Sequence, residues 1–156
     1  MALAEALCRE RGQRLTPIRR SVLATLLASH KPLGAYEIID RLAPKGREGG
    51  REGGRESGRE GLGPRPAPIT AYRALEFLRE NGLVHRIESR NAFIACVHNH
   101  AAGELVAFLI CERCGAVGEA SSAEVTTTLT AAARAAGFTP KSPIIEISGI
   151  CTHCRQ

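Results

Sequence analysis

Two pairs of cysteines, Cys111/Cys114 and Cys151/Cys154, share the spacing Cys-x-x-Cys. Two intervening residues let both thiolates of a tight turn reach one tetrahedral ion, and two such turns complete a closed four-sulfur site of the kind zinc occupies. A closed site has no open position for a substrate, so its role is structural, and metal binding there contributes directly to folding. A redox dithiol or unligated buried cysteines are the alternatives, but neither explains why both pairs have the same spacing.

A second set of donors lies between the two halves of the chain: His85, Cys96, His98, His100 and Glu119. Mixed nitrogen, sulfur and oxygen ligands suit a borderline-soft ion such as Zn²⁺. An ion held from both halves would clamp them at one angle, so its occupancy would select one arrangement and could act as a signal. Each of these side chains taken alone also suits a solvated or hydrogen-bonded surface position.

The elements that must position these groups are legible from their punctuation. Residues 3 to 11 read as a helix ended at Gly12, with Cys8 a small core residue rather than a functional thiol. Thr16 as cap and Pro17 at the first position start a second helix, whose apolar face is Ile18, Val22, Leu26 and Leu27. Pro32 and Gly34 break the chain before a third helix over 35 to 42 that turns Ile38, Ile39 and Leu42 inward. A fourth begins near Thr70 and stops at Gly82; Ala71, Ala74, Leu75 and Leu78 fall on one side, Tyr72, Arg73, Glu76 and Arg79 on the other.

Residues 83 to 87 and 92 to 97 then outline a hairpin, and helices followed by a hairpin make a winged helix-turn-helix whose reading helix is 70 to 81. Beyond it, 105 to 110 is an apolar strand, Val117 a short return, Ser121 with Glu124 a capping box opening a helix that stops at Gly137, and 144 to 147 a last strand. The expected fold is therefore α+β: a winged-helix DNA-binding domain over 1–97, then a small α/β dimerisation domain over 98–156 with the four-cysteine site. Between residues 46 and 61, Arg47, Arg51, Arg55 and Arg59 are each followed by a glutamate among glycines, which predicts a disordered insertion. An arginine-rich arm touching phosphates is the other reading of that segment.

Lysine and arginine exceed aspartate and glutamate to give a formal net charge of +5, which favours an acidic partner such as nucleic acid. Tyr72 and Arg73 are the side chains expected in the major groove, with Arg14, Arg19 and Arg20, and Arg86 and Arg90 on the hairpin, as phosphate contacts. The N-terminal stretch has no basic flank ahead of an apolar run, no segment has the length of a membrane helix, and paired Cys-x-x-Cys motifs fit a reducing compartment, so a cytoplasmic protein is expected. Catalysis is not expected: a zinc deaminase would need His-x-Glu and a Pro before Cys-x-x-Cys, where this chain has Ile110.

These residues resemble the ferric uptake regulator family, and within it the zinc uptake regulator branch. The resemblance is carried by GQRLTPIRRSVL at 12–23, TAYRALEFLRENGLVHRIES at 70–89, FLICERCGAVGE at 108–119 and IEISGICTHCR at 145–155. It implies a homodimer that binds a double-stranded inverted-repeat operator when zinc is plentiful and represses zinc-uptake genes, with neither membrane nor small-molecule substrate as partner. It implies two zinc ions per subunit: a structural one on Cys111, Cys114, Cys151 and Cys154, and a regulatory one on His85, Cys96 and Glu119, completed by His98 or His100. It adds Tyr36 to Tyr72 and Arg73 on the DNA face. Pro32 stands where iron and peroxide sensors tend to carry a ligand histidine, and the insertion departs from the family pattern. An iron- or peroxide-responsive regulator of the same architecture, a zinc enzyme and a dithiol redox switch are the rival readings.

Overall fold

A computed structural model describes residues 1–43, 65–96, 105–140 and 144–155, so the 46–61 insertion, the proposed boundary at 97/98 and both His98 and His100 lie outside the described residues. Helix α1 (Ala2–Glu10) buries Ala4 and Cys8, and α2 (Pro17–Leu27) follows the Gly12 turn. Thr16 occupies the cap position of α2 but its hydroxyl makes no capping bond, so the start rests on Pro17, whose fixed φ suits the first turn. Val22, Leu23 and Leu26 face inward. Leu27, expected on that face, is 41% exposed, because at 100° per residue it turns off the Val22–Leu26 stripe and Leu23 takes its place.

The break at Pro32 and Gly34 contains a two-residue strand, β1 (Leu33–Gly34), ahead of α3 (Ala35–Leu42), which buries Ile38, Ile39 and Leu42 as expected. Helix α4 (Pro68–Glu80) starts two residues before Thr70, because Pro68 opens its first turn. It ends on Gly82 at φ +70°, with the Leu83 amide donating to Leu78 O at 2.9 Å and the Gly82 amide to Arg79 O at 3.0 Å, the paired bonds of a Schellman close. Ala71, Ala74, Leu75 and Leu78 are buried against α2 and α3. The hairpin is β2 (Val84–Ile87) and β3 (Ala92–Ala95), joined through a short 3-10 turn (Glu88–Arg90) and Asn91 at φ 46°. Strand β1 adds to its far edge, giving the order β1-β3-β2 and completing a winged helix.

The C-terminal unit is β4 (Val106–Cys111), β5 (Val117–Ala120), α5 (Ala123–Ala135) and β6 (Ile144–Gly149), in the sheet order β5-β4-β6 with β4 and β6 parallel. The cap of α5 is Ser122, whose Oγ accepts the Val125 amide at 3.4 Å. That places Glu124 one position too early for the capping box expected from Ser121. Alternation along β4 sends Val106, Phe108 and Ile110 toward the hairpin, where they bury Ile87 and pack on Ile94. The opposite face leaves Leu109 and Ile147 exposed, and α5 buries none of its side chains. No helix among the described residues is long and apolar enough to cross a membrane.

Candidate metal centres and the DNA-facing surface

The parallel pairing of β4 with β6 sets Cys111 beside Gly149, and the Glu112 amide continues the ladder to Gly149 O at 2.9 Å. Both Cys-x-x-Cys turns therefore leave the same end of the sheet. The first closes through Gly115, at φ +73°, whose amide donates to Cys111 O at 2.9 Å; the second is the 3-10 turn Thr152–Cys154. Arg113 ties the two by donating to Cys154 O at 2.6 Å.

All four sulfurs lie within 4.8 Å of one another, and Cys114 Sγ is 3.8 Å from Cys151 Sγ. Four thiolates around zinc at about 2.3 Å are about 3.8 Å apart along a tetrahedral edge. A disulfide would need the sulfurs at about 2 Å. Backbone N–H groups of Cys114 and Cys151 draw the Cys111 thiol down to about 6, while the Cys151 and Cys114 thiols push Cys154 up to about 12. The first proton leaves easily and the last does not, so the cluster needs a cation to carry four thiolates at neutral pH.

The second cluster spans both sheets. His85 on β2, Cys96 just past β3 and Glu119 on β5 bring their ligand atoms within 4.8 Å of one another. Cys96 is fixed by its amide, which donates to Leu83 O at 2.9 Å. His85 Nε2 stands 3.7 Å from Glu119 Oε1, with only 14% and 11% of the two side chains exposed, and the imidazole lies 5.2 Å from the Phe108 ring. Nitrogen, sulfur and oxygen donors around one point fit zinc, and three of them leave a coordination position open.

Within the winged helix, Tyr36 and Tyr72 are 63% and 43% exposed, and Arg73 and Arg14 are exposed as well. The first turn of α4 carries no acidic residue of its own to offset the positive end of its dipole. Arg19 differs from the others: its guanidinium stacks 3.4 Å over the Phe77 ring and donates to Arg14 O at 2.7 Å, bracing α2 on α4. Arg20 pairs with Glu5, and Arg86 bonds Asn91 at 2.9 Å beside Glu88.

One residue that links the two sheets has no signal in the sequence. Glu146 on β6 accepts the Glu88 amide at 2.6 Å and the Ser89 amide at 3.1 Å, a contact between a side chain and a backbone turn far away along the chain.

A winged helix joined across a His-Cys-Glu cluster to a sheet that ends in four convergent cysteines defines a winged-helix protein with two candidate metal sites. The sequence profile of the Ferric uptake regulator family matches residues 67–148, and the chain belongs to that family. The zinc uptake regulation protein of Escherichia coli (strain K12) is 34% identical over 154 residues, 99% of this chain and 80% of that protein. A zinc uptake regulator solved in complex with zinc and DNA superposes with a TM-score of 0.82 at 33% identity, covering 99% of this chain and 91% of that one. The holo form of XcZur gives 0.80 at 40% identity, and its apo form 0.51 at 41%, each over 99% of this chain and 95% of that one.

Proposed function

We propose that the chain is a zinc-responsive transcriptional repressor that binds a double-stranded inverted-repeat operator as a zinc-loaded homodimer and represses zinc-uptake genes in the cytoplasm. The observation that carries this reading is the His85–Cys96–Glu119 cluster, whose donors come from both sheets and lie within 4.8 Å of one another. In keeping with that, the chain is similar in shape to holo XcZur and much less so to the apo form, at nearly equal identity. A zinc ion there would supply bonds between wing and sheet. The chain's own residues do the rest.

In this reading each subunit holds two zinc ions. Cys111, Cys114, Cys151 and Cys154 hold the structural one; His85, Cys96 and Glu119, with His98 or His100, hold the regulatory one. Residues 1–97 form the DNA-binding domain, with Tyr72 and Arg73 directed at bases, Tyr36 and Arg14 at the backbone, and Arg19 on the same surface as a brace. Residues 98–156 form the dimerisation domain, in which the unpartnered α5 and the Leu109–Ile147 face of the sheet meet a second copy. An iron- or peroxide-responsive regulator would share the architecture, but the Cys96 thiol favours zinc over the oxygen-rich sites that suit manganese.

The test pairs metal content before and after mild chelation with binding to a palindrome upstream of a zinc-uptake gene. One zinc per chain should survive chelation; loss of a second should abolish DNA binding and Zn²⁺ should restore it. Restoration by Fe²⁺ or Mn²⁺ but not Zn²⁺ would overturn the zinc assignment and leave the DNA role intact.

A further inference from the structure

Glu146 belongs to neither cysteine cluster nor to the His85 cluster, yet it touches the element that any change of domain angle must move. Its two carboxylate oxygens take one backbone amide each, from Glu88 and Ser89, at the start of the turn that forms the tip of the wing. The first amides of such a turn have no partner within it. Glu146 satisfies two of them from another sheet. Burial alone would raise its pKa, but the Ser89 hydroxyl and the two amides outweigh it and hold the carboxyl below its ordinary range, so the ionised, accepting form is the one favoured.

The register of the C-terminal sheet gives this contact its meaning. Phe108 on the central strand is paired with Glu119 on one side and with Glu146 on the other, so the three side chains form one transverse row on one face. All three meet the wing hairpin: Glu119 and Phe108 at His85, Glu146 at the tip. Of the three, Glu146 alone reaches backbone amides of the wing, a grip to which the Ser89 hydroxyl adds and which needs no metal ion.

We propose that Glu146 is a positioning residue that latches the wing tip to the C-terminal sheet, pre-setting the arrangement in which the His85, Cys96 and Glu119 donors converge. The inference rests on the zinc-sensor reading above. Whatever favours the closed arrangement lowers the zinc needed to reach it, because a ligand's apparent affinity scales with the fraction of protein already competent to bind. Removing the latch should therefore move the zinc threshold and leave the saturated state largely intact.

The experiment uses the full-length dimer and two variants. Glu146→Gln keeps the size of the side chain but only one good acceptor; Ser89→Ala removes only the hydroxyl. DNA binding is titrated against buffered free zinc, and amide exchange at Glu88 and Ser89 is followed in the zinc-loaded protein. For Glu146→Gln the half-maximal zinc concentration should rise about 5- to 10-fold, the scale of losing one charge-assisted hydrogen bond from a two-state equilibrium. DNA affinity at saturating zinc should stay within about twofold, and both amides should exchange faster. Ser89→Ala should shift the midpoint the same way by less. A general loss of structure would lower the plateau instead of moving the midpoint. An unmoved midpoint or unchanged exchange in Glu146→Gln overturns the latch. Should that variant lose its dimer or its tightly held zinc, Ser89→Ala decides, a shift sustaining the proposal and none overturning it. A wild type indifferent to zinc overturns the sensor reading and the latch with it.

Discussion

Phe108 and His85 face each other across the two sheets, their rings 5.2 Å apart and inclined at 59°, so that the central strand of one sheet buttresses a candidate donor on the other. Phe108 is 1% exposed and lies among Ile87, Val106 and Ile110. Phe108→Ala should cost about 3–5 kcal/mol in denaturant unfolding. It should also free the imidazole to turn, so zinc bound at the junction, measured by competition with a chelator, should weaken more than zinc at the four cysteines.

The cysteines predict a sharp contrast. Cys114→Ser or Cys151→Ser removes a donor from a closed set, and metal analysis should find the tightly held zinc lost together with cooperative thermal unfolding. Cys8 is buried against the helical core, far from either cluster in sequence, and Cys8→Ala should leave zinc content and the zinc response of DNA binding unchanged. A thiol whose loss changes metal content would have to be a ligand.

What could be read in the sequence was whatever depends on near neighbours along the chain. The two faces of α4 follow from a 3.6-residue period, and each cysteine pair carries its own turn geometry within four residues. The donors His85, Cys96 and Glu119 could be singled out by chemistry, although their convergence depends on how two sheets pack. Strand β1 was beyond reach, because two residues show no alternation and their ladder partner, β3, lies far along the chain. Glu146 was beyond reach for a stronger reason: its partners are backbone amides, which every residue but proline has. Ser121 and Ser122 are both good caps, and only the backbone path out of β5 chooses between them.

Arg14 and Arg19 should separate electrostatic contact from bracing. Arg14 is exposed, so Arg14→Ala should reduce the slope of log affinity against log salt by about 1. Arg19 lies on Phe77, and Arg19→Ala should lower stability by about 0.5–1 kcal/mol through loss of that stacking. Arg73→Ala, at an exposed site on the helix proposed to read DNA, should cost about 1–3 kcal/mol on the operator and much less on unrelated DNA. Gel shifts on both DNAs at several salt concentrations resolve all three.

The outer face of the C-terminal unit predicts how subunits associate. Val125 and Leu129 on α5 are 46% and 42% exposed, and no side chain of that helix is buried within the chain. Leu129→Lys therefore removes nothing from the core of one chain but places a charge in the proposed interface. Sedimentation should show monomers, with secondary structure by circular dichroism retained and operator binding weakened; an unchanged dimer would move the interface elsewhere.

Acid should weaken the hold of Glu146 on the wing tip. Glu146 has its carboxyl held below the ordinary value of 4.5, chiefly because the Ser89 hydroxyl and the amides of Glu88 and Ser89 outweigh the cost of burial. A carboxyl whose folded pKa is depressed contributes stability that is fully present above its unfolded pKa and is lost as pH falls through the folded one. The gain in melting temperature of the wild type over Glu146→Gln should therefore be constant from pH 7 down to about 5 and vanish progressively below 4.5. Taking the difference between two proteins with the same cysteines cancels the acid release of zinc that both undergo. A gap independent of pH would mean that Glu146 acts by packing, while one that widens in acid would give the carboxyl a raised pKa and contradict the two amide bonds at the wing tip.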